Sequence, residues 1–238
     1  MKHRSDVGGE RIDALYYLLA ELHHRVDGYR YLRDCGGRSG WPDRGVYFFF
    51  EDGETRRDGK SLRVIRVGTH ALRAGSRTTL WKRLSQHRGR IGGAFPGGGN
   101  HRGSIFRLHV GTALLASRRY PAAVGRAWRG RGLGSREVRR VEYPLERDVS
   151  TFIHDLPFLW VAVDDPAGPD SDRGVIERNS IALLSNGRSP VDPPSPTWLG
   201  LHADASAIRA SGLWNVNHVD DGCDPSFLEV LARHVTRM

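Results

Sequence analysis

Gly45-Val46-Tyr47-Phe48-Phe49-Phe50 is the stretch on which the reading of this chain turns. One β-branched residue and four aromatics in succession, closed on the far side by Glu51-Asp52-Gly53-Glu54, have the composition of a strand. Arg63-Val64-Ile65-Arg66-Val67 reads as its partner. Between the two, Gly53 and Asp58-Gly59 tolerate positive φ, so a hairpin with a long polar loop is the simplest connection. Period-two alternation then turns Tyr47 and Phe49 to the same face.

Outward from this hairpin, helix and strand signals alternate. Ile12, Leu15, Leu19, Leu22 and Val26 recur at helical spacing and predict an amphipathic helix over 10–26 that packs on the sheet. Cys35 to Trp41 reads as loop. Thr78 or Thr79 can cap a helix carrying Leu80, Leu84 and His87, which Gly89, Gly92 and Gly93 close. After Gly97-Gly98-Gly99, either Asn100 or Ser104 starts a helix through Ile105, Leu108, Leu114 and Leu115, while Gly103 and Gly111 leave a strand over 105–110 open. From Arg118 to Arg140 the chain is basic and Gly-punctuated, with Arg118, Arg119, Arg126, Arg129, Arg131, Arg136, Arg139 and Arg140 against Glu137 alone. This has the character of an inserted arm, either a solvated loop or a grip on a polyanion, and Trp128 within it reads as exposed.

Phe158 to Val163 is an unbroken apolar run of strand length, suited to a central strand buried on both faces. Asp172 can cap a helix that carries Glu177, buries Ile176, Leu183 and Leu184, and ends at Asn186-Gly187. Two short helices follow a Pro-rich loop at 190–196, over Ala203–Ala210 and Phe227–Val235. The fold class is therefore α/β (α+β): a small, mainly antiparallel central sheet flanked by helices, elaborated by a basic insertion. The expected division is a lead-in at 1–44, a core at 45–200 with its insertion at about 117–150, and a helical extension at 201–238.

Composition bounds the function. The chain of 238 residues carries 36 basic and 27 acidic side chains, a formal charge of +9 that favours a polyanionic partner such as nucleic acid. Only Lys2, Lys60 and Lys82 are lysines, and this skew, with abundant Ala, Gly and Pro, is also what a GC-rich coding sequence yields unaided. Cys35 and Cys223 are too few for a disulfide framework or a zinc knuckle. With no apolar leader and no apolar run long enough to span a bilayer, a cytoplasmic protein is expected.

The order of motifs resembles the GIY-YIG endonuclease family over roughly residues 45–200. Gly45-Val46-Tyr47 stands where the GIY element would be and Arg66-Val67-Gly68 where the YIG element would be, with Arg83, His87 and Glu177 at the helical site positions. An Arg-x-x-x-His pair such as Arg83 to His87 resembles the restriction-type members. The resemblance implies a metal-dependent endonuclease acting on DNA, in which Tyr47 activates water, Arg83 and His87 meet the phosphate, and Glu177 holds one Mg²⁺ or Mn²⁺. As a hard oxygen donor a carboxylate suits either ion, which keeps most of its waters when held by one carboxylate and a substrate phosphate. A phenol, with an ordinary pKa of about 10, needs a nearby cation to serve as a base at neutral pH. Arg66, His70, Lys82, Arg102, Asn186, Arg126 and Arg129 are the candidate substrate contacts.

Two departures stand out. Arg66 replaces the leading tyrosine of the YIG element and could bind phosphate instead. The family's late Asn is assigned to Asn186 ahead of Asn215 and Asn217. Each site residue also fits a plainer role: Tyr47 as packing, Arg83 and His87 as a solvated helix face, Glu177 as a carboxylate near a helix N-terminus, and His70, His101 and Arg102 as loop residues. The alternative function is a nucleic-acid-binding module that has lost catalysis, and an enzyme directed at RNA is a third.

Overall fold

The computed structural model describes residues 2–90, 92–130, 134–168, 170–187 and 190–238, with residues 2–7 described by backbone alone. Among the described residues four strands form one antiparallel sheet in the order β1 (Arg30–Tyr31), β4 (Pro157–Ala162), β2 (Gly45–Thr55), β3 (Leu62–Gly68). The aromatic strand and the apolar 158–163 run are thus the central pair, paired from Gly45 opposite Ala162 to Phe49 opposite Phe158. The loop between β2 and β3 closes at Asp58-Gly59: the Asp58 carboxylate accepts the N–H groups of Lys60 and Ser61, and Gly59 takes φ 66°.

Alternation along β2 divides the apolar interior. Tyr47 and Phe49 face a core built with Leu80, Leu84, Phe106, Val149 and Trp214, whereas Val46, Phe48 and Phe50 face a second core with Leu15, Leu22, Ile176 and Leu231. Helices cover both faces, so every residue from Gly45 to Phe50 is buried. On the first face lie α2 (Leu80–Arg88), α3 (Ile105–Ser117), α4 (Ala122–Arg129) and α5 (Arg136–His154). On the second lie α1 (Lys2–Arg25), α6 (Asp172–Leu184) and α8 (Phe227–Val235); a short α7 (Ser206–Ser211) precedes α8. Thr79, Ser104, Ser135 and Ser171 cap α2, α3, α5 and α6, each accepting a backbone N–H three residues on. Ser171 rather than Asp172 is therefore the cap of the helix that carries Glu177, and α1 begins well before residue 10.

Three expectations are settled by packing. The 105–110 segment is helical, because Phe106, Val110, Ala113 and Leu114 make one buried stripe. Gly111 is tolerated within it since a methyl there would lie 2.0 Å from the Trp128 ring. Trp128 is consequently 1% exposed rather than open to solvent, and its indole N–H reaches the Leu108 carbonyl. The basic run is not a loose arm: it folds as α4 and the first turns of α5, and α5 buries Leu145, Val149 and Ile153 against α2 and α3. Arg131 lies outside the described residues.

β3 contains a bulge with a consequence for the site. Phe49 pairs with Arg66 and Phe50 with Val64, so Ile65 is the extra residue, and its carbonyl accepts the Trp214 N–H at 2.7 Å. Strict alternation would place Arg66 with Val64 in the second core. The bulge instead turns both Ile65 and Arg66 toward Tyr47 and Phe49.

Candidate active site

Tyr47 is directly opposite Gly68 in the β2–β3 pairing, and its ring lies across that glycine. A methyl at Gly68 would sit 2.3 Å from the Tyr47 hydroxyl, and one at Gly45 would sit 2.5 Å from the Val161 carbonyl. Both glycines of the paired motifs are thus required by close approach, the first to seat the phenol and the second to bring β4 against β2. Thr69 ties the same two strand ends together by donating its hydroxyl to the Gly45 carbonyl at 2.8 Å.

The Tyr47 hydroxyl is 2.8 Å from His87 Nε2, and His87 Nδ1 is 2.7 Å from Ser104 Oγ, which also accepts the Arg107 N–H. The phenol, the imidazole and the cap of α3 form one buried chain of hydrogen bonds. Burial holds the His87 imidazole well below its ordinary pKa, and the charges of Arg83, Arg66 and Arg107 push it further the same way, so the ring is neutral. Helical spacing put Arg83 and His87 on one side of α2, both toward phosphate. The structure divides them: His87 is 0% exposed beneath Tyr47, while Arg83 is half-buried at the rim of a groove and bonds Gln86.

Arg66 is 5% exposed, lies 4.7 Å from the Phe106 ring and donates to the Trp214 carbonyl at 2.5 Å. Its guanidinium also contacts the Tyr47 hydroxyl, so with His87 and Gly68 it closes the phenol off from solvent, and Tyr47 is 0% exposed. No carboxylate pairs with Arg66 among the described residues, and its buried Nε has no partner. Burial lowers its pKa, and the Arg83 charge acts in the same direction.

Glu177 arrives from α6. Its Oε1 accepts the Thr69 N–H at 3.1 Å, one residue past Gly68, which brings the carboxylate to the same end of β3 as the phenol. Burial raises its pKa, against the opposing pull of Arg66 and the Thr69 N–H. The carboxylate forms no ion pair among the described residues, although the Arg66 and Arg83 charges act on it. No group of three or more His, Cys, Asp and Glu side chains gathers among the described residues, so a cage made wholly by protein is not formed. A hydrated magnesium ion needs none, and a single hard oxygen donor such as the Glu177 carboxylate fits it.

The other sequence-derived candidates are scattered. His70 is buried, with Nε2 3.1 Å from the Asp43 carbonyl, and burial lowers its pKa to about 4. Lys82 is exposed on α2. His101 is buried, stacked on Trp128 with centroids 3.9 Å apart, and accompanied by Glu146 at 3.0 Å. Arg102 is held by both oxygens of Glu142 at 2.8 and 2.6 Å. Arg126 and Arg129 are exposed on α4, and Arg129 lines one groove with Arg83 and Ser104. Asn186 does not reach the site: its side chain joins the Asp192, Ser211 and Val191 backbones and ties a loop. Asn215 instead touches the motif, accepting the Val67 N–H at 3.1 Å and donating to the Val67 carbonyl at 2.8 Å.

Comparison with protein-family models matches the GIY-YIG domain over residues 8–238. The chain belongs to the GIY-YIG family. Membership carries nuclease activity in general, and nucleases of this family act on DNA. No curated protein and no solved structure matches the chain. The matched span contains both Gly45-Val46-Tyr47 and Arg66-Val67-Gly68. No described helix is long and apolar enough to cross a membrane.

Sequence reasoning missed Ser104 as the support of His87, and Thr69 as the link between the two motifs and Glu177. It also missed Arg107, 0% exposed, whose guanidinium bonds the His87 carbonyl, Glu146 and Ser150. The one available signal was position: Thr69 directly follows the YIG glycine, and Ser104 stands at a helix start. Nothing local distinguishes Arg107 among so many arginines.

Proposed function

We propose that this GIY-YIG protein is a divalent-metal-dependent endonuclease that hydrolyses DNA phosphodiester bonds at Tyr47, with His87 behind the phenol, Arg83 and Arg66 on the phosphate, and Glu177 as the metal ligand. The observation that carries the reading is the seating of the Tyr47 hydroxyl on Gly68 and against His87, with Glu177 tied to the next residue, Thr69. Mg²⁺ or Mn²⁺ at Glu177 would supply positive charge to the phosphate's non-bridging oxygens.

The residues divide the remaining work. With Ser104 Oγ accepting from His87 Nδ1–H, the neutral ring presents a lone pair at Nε2 to the Tyr47 hydroxyl. The attacking water gives a proton to the Tyr47 oxygen as that oxygen gives its own to His87. The water oxygen bonds to phosphorus, the bond to the 3′ oxygen breaks, and that oxygen takes a proton from solvent, leaving a 5′-phosphate and a 3′-hydroxyl. In the free protein burial, and with it the charges of Arg83, Arg66 and Arg107, opposes protonation of His87; phosphate engaging Arg83 and Arg66 relieves the repulsive part at the moment the proton must move. Because Arg66 covers the phenol, access requires it to exchange the Trp214 carbonyl for a phosphate oxygen. A buried guanidinium with an unpartnered Nε and no carboxylate is suited to such an exchange.

The test is cleavage of plasmid, linear and branched DNA with Mg²⁺ or Mn²⁺. The parent should cut. Tyr47→Phe, which removes only the hydroxyl, should cut about 10²- to 10⁴-fold more slowly. Glu177→Ala should still bind DNA without cutting it. An intact set of substrates with the parent, or Tyr47→Phe cutting at the parental rate, would falsify the reading, and metal-independent binding without cutting would leave a binding module on this scaffold.

A further inference from the structure

Away from the phenol, the basic residues of α4 form a feature that the hydrolytic chemistry does not use. A surface groove of about 740 Å³ runs between the end of α3 and α4, with Arg118, Arg119, Arg126 and Arg129 along its walls and Leu115 and Gly125 among the groups that line it. A second groove of about 600 Å³ begins at Arg83 and ends at the same Arg129 and Gly130, so the two share a wall and join the candidate active site to α4. Neither groove is lined by a single Asp or Glu among the described residues, in a chain that carries 27 of them.

The guanidinium groups are available. Arg119 and Arg126 are exposed and form no ion pair among the described residues. Among the described residues Arg129 pairs only with Asp204, at 3.8 Å, with both side chains more than half exposed, an arrangement that holds an arginine weakly. Arg126 and Arg129 are three residues apart on α4 and share a face. Gly125 keeps the floor low: a methyl there would reach 3.4 Å from Arg129 Nη1. Arg118 marks the far end, where it meets a separate pocket lined by Glu51, Asp52, Asp148 and Asp155. A polyanion following the basic path from Arg83 would be turned away at that acidic edge.

We propose that the α3–α4 groove is an anchoring rail for the sugar-phosphate backbone of DNA flanking the scissile linkage, with Arg119, Arg126 and Arg129 as its phosphate contacts. The inference rests on the nuclease reading above but concerns a surface separate from the reacting atoms. The eight residues of α4 span about 12 Å, the axial rise over which one strand of a duplex lying along the helix presents three to four phosphates, at about 3.4 Å per base pair. Arginine forks on a floor of backbone and aliphatic groups recognise that charge row and no base, so the rail strengthens binding without choosing sequence.

Binding of a labelled DNA duplex to the full chain in EDTA, measured across a salt series, tests the rail without requiring cleavage. The variant Arg119→Gln/Arg126→Gln/Arg129→Gln should bind about 10- to 100-fold more weakly at low salt, with a salt slope smaller by about two to three. The matching triple Lys variant should keep most of the affinity, which excludes misfolding as the cause. With Mg²⁺, KM should rise in the Gln variant while kcat at saturating DNA stays within about threefold of the parent. Parental affinity and slope in the Gln variant overturn the rail, as does a loss of affinity that the Lys variant shares in full. A parent that binds but never cuts defeats the nuclease reading and leaves this measurement intact.

Discussion

At the scale of single residues, burial decides roles that spacing cannot. Arg83 and His87 are one helical turn apart, yet α2 sinks one beneath Tyr47 and leaves the other at the rim of a groove, so the same four-residue interval yields one side chain bonded to the phenol and one open to a ligand. Gly68 is the sharpest constraint. Its added methyl would overlap the Tyr47 hydroxyl and ring at 2.3 to 2.7 Å, and the phenol cannot retreat because His87, Phe49 and Arg66 enclose it. Gly68→Ala should therefore cost about 1–3 kcal/mol of stability through overpacking, seen in urea or thermal melts, and should also slow cleavage by moving the hydroxyl. Gly53→Ala is the comparison, since nothing lies within 4 Å of that position: its φ of 89° strains the backbone and lowers stability, but it should leave the rate of cutting unchanged. A Gly68→Ala protein that melts and cuts like the parent would show that the phenol is not fixed by this contact.

At the scale of elements, the paired motifs were legible because they are local. Val46 to Phe50 alternates between two apolar cores, Phe158 to Val163 lacks any polar face, and both properties follow from sequence period alone. The bulge at Ile65, which aims Arg66, and the cross-chain supports were not legible, because they arise from contacts between segments far apart. Glu146 illustrates the point. From α5 it accepts the N–H of His101, contacts His101 Nδ1 and pairs with Arg107, whose guanidinium in turn bonds the carbonyl of His87 at 2.8 Å. One carboxylate thus fastens α2, the start of α3 and α5 to each other around a fully buried arginine. Glu146→Gln leaves that arginine uncompensated and should destabilise the fold by about 3–5 kcal/mol, measured by denaturant titration. A loss below about 1 kcal/mol would mean that Arg107 finds its compensation elsewhere. The basic run was misread for a related reason: Trp128 and Leu145 tie its two helices to α3 and α2, and neither contact shows in the local composition.

For the whole molecule, the buried titratable groups set opposing slopes of stability with pH. Burial lowers His70 and His109 to about 4 and holds His87 well below its ordinary value. Between those values and about 6.5 the unfolded chain binds protons that the native protein refuses, so stability rises with pH across that window. Glu51 works the other way. Burial, reinforced by the nearby Glu54 charge, pushes its carboxyl up to about 7, while the Trp198 indole N–H at 3.1 Å only partly offsets this. From about 4.5 to 7 the native state holds a proton that the unfolded chain has lost, so stability contributed by neutral Glu51 fades as pH rises through that range and does not return above it. The two trends should place the optimum near pH 6 to 7. Glu51→Gln keeps an acceptor for Trp198 and removes the charge, so it should leave the acid side untouched and stabilise the protein at pH 8 by about 1–3 kcal/mol, roughly 2–10 °C in Tm for a chain of this length. Thermal melts of parent and variant from pH 5 to pH 9 provide the check. Parallel curves throughout would show that Glu51 is already ionised in the native protein at neutral pH, with Arg63 rather than a bound proton supplying the compensation.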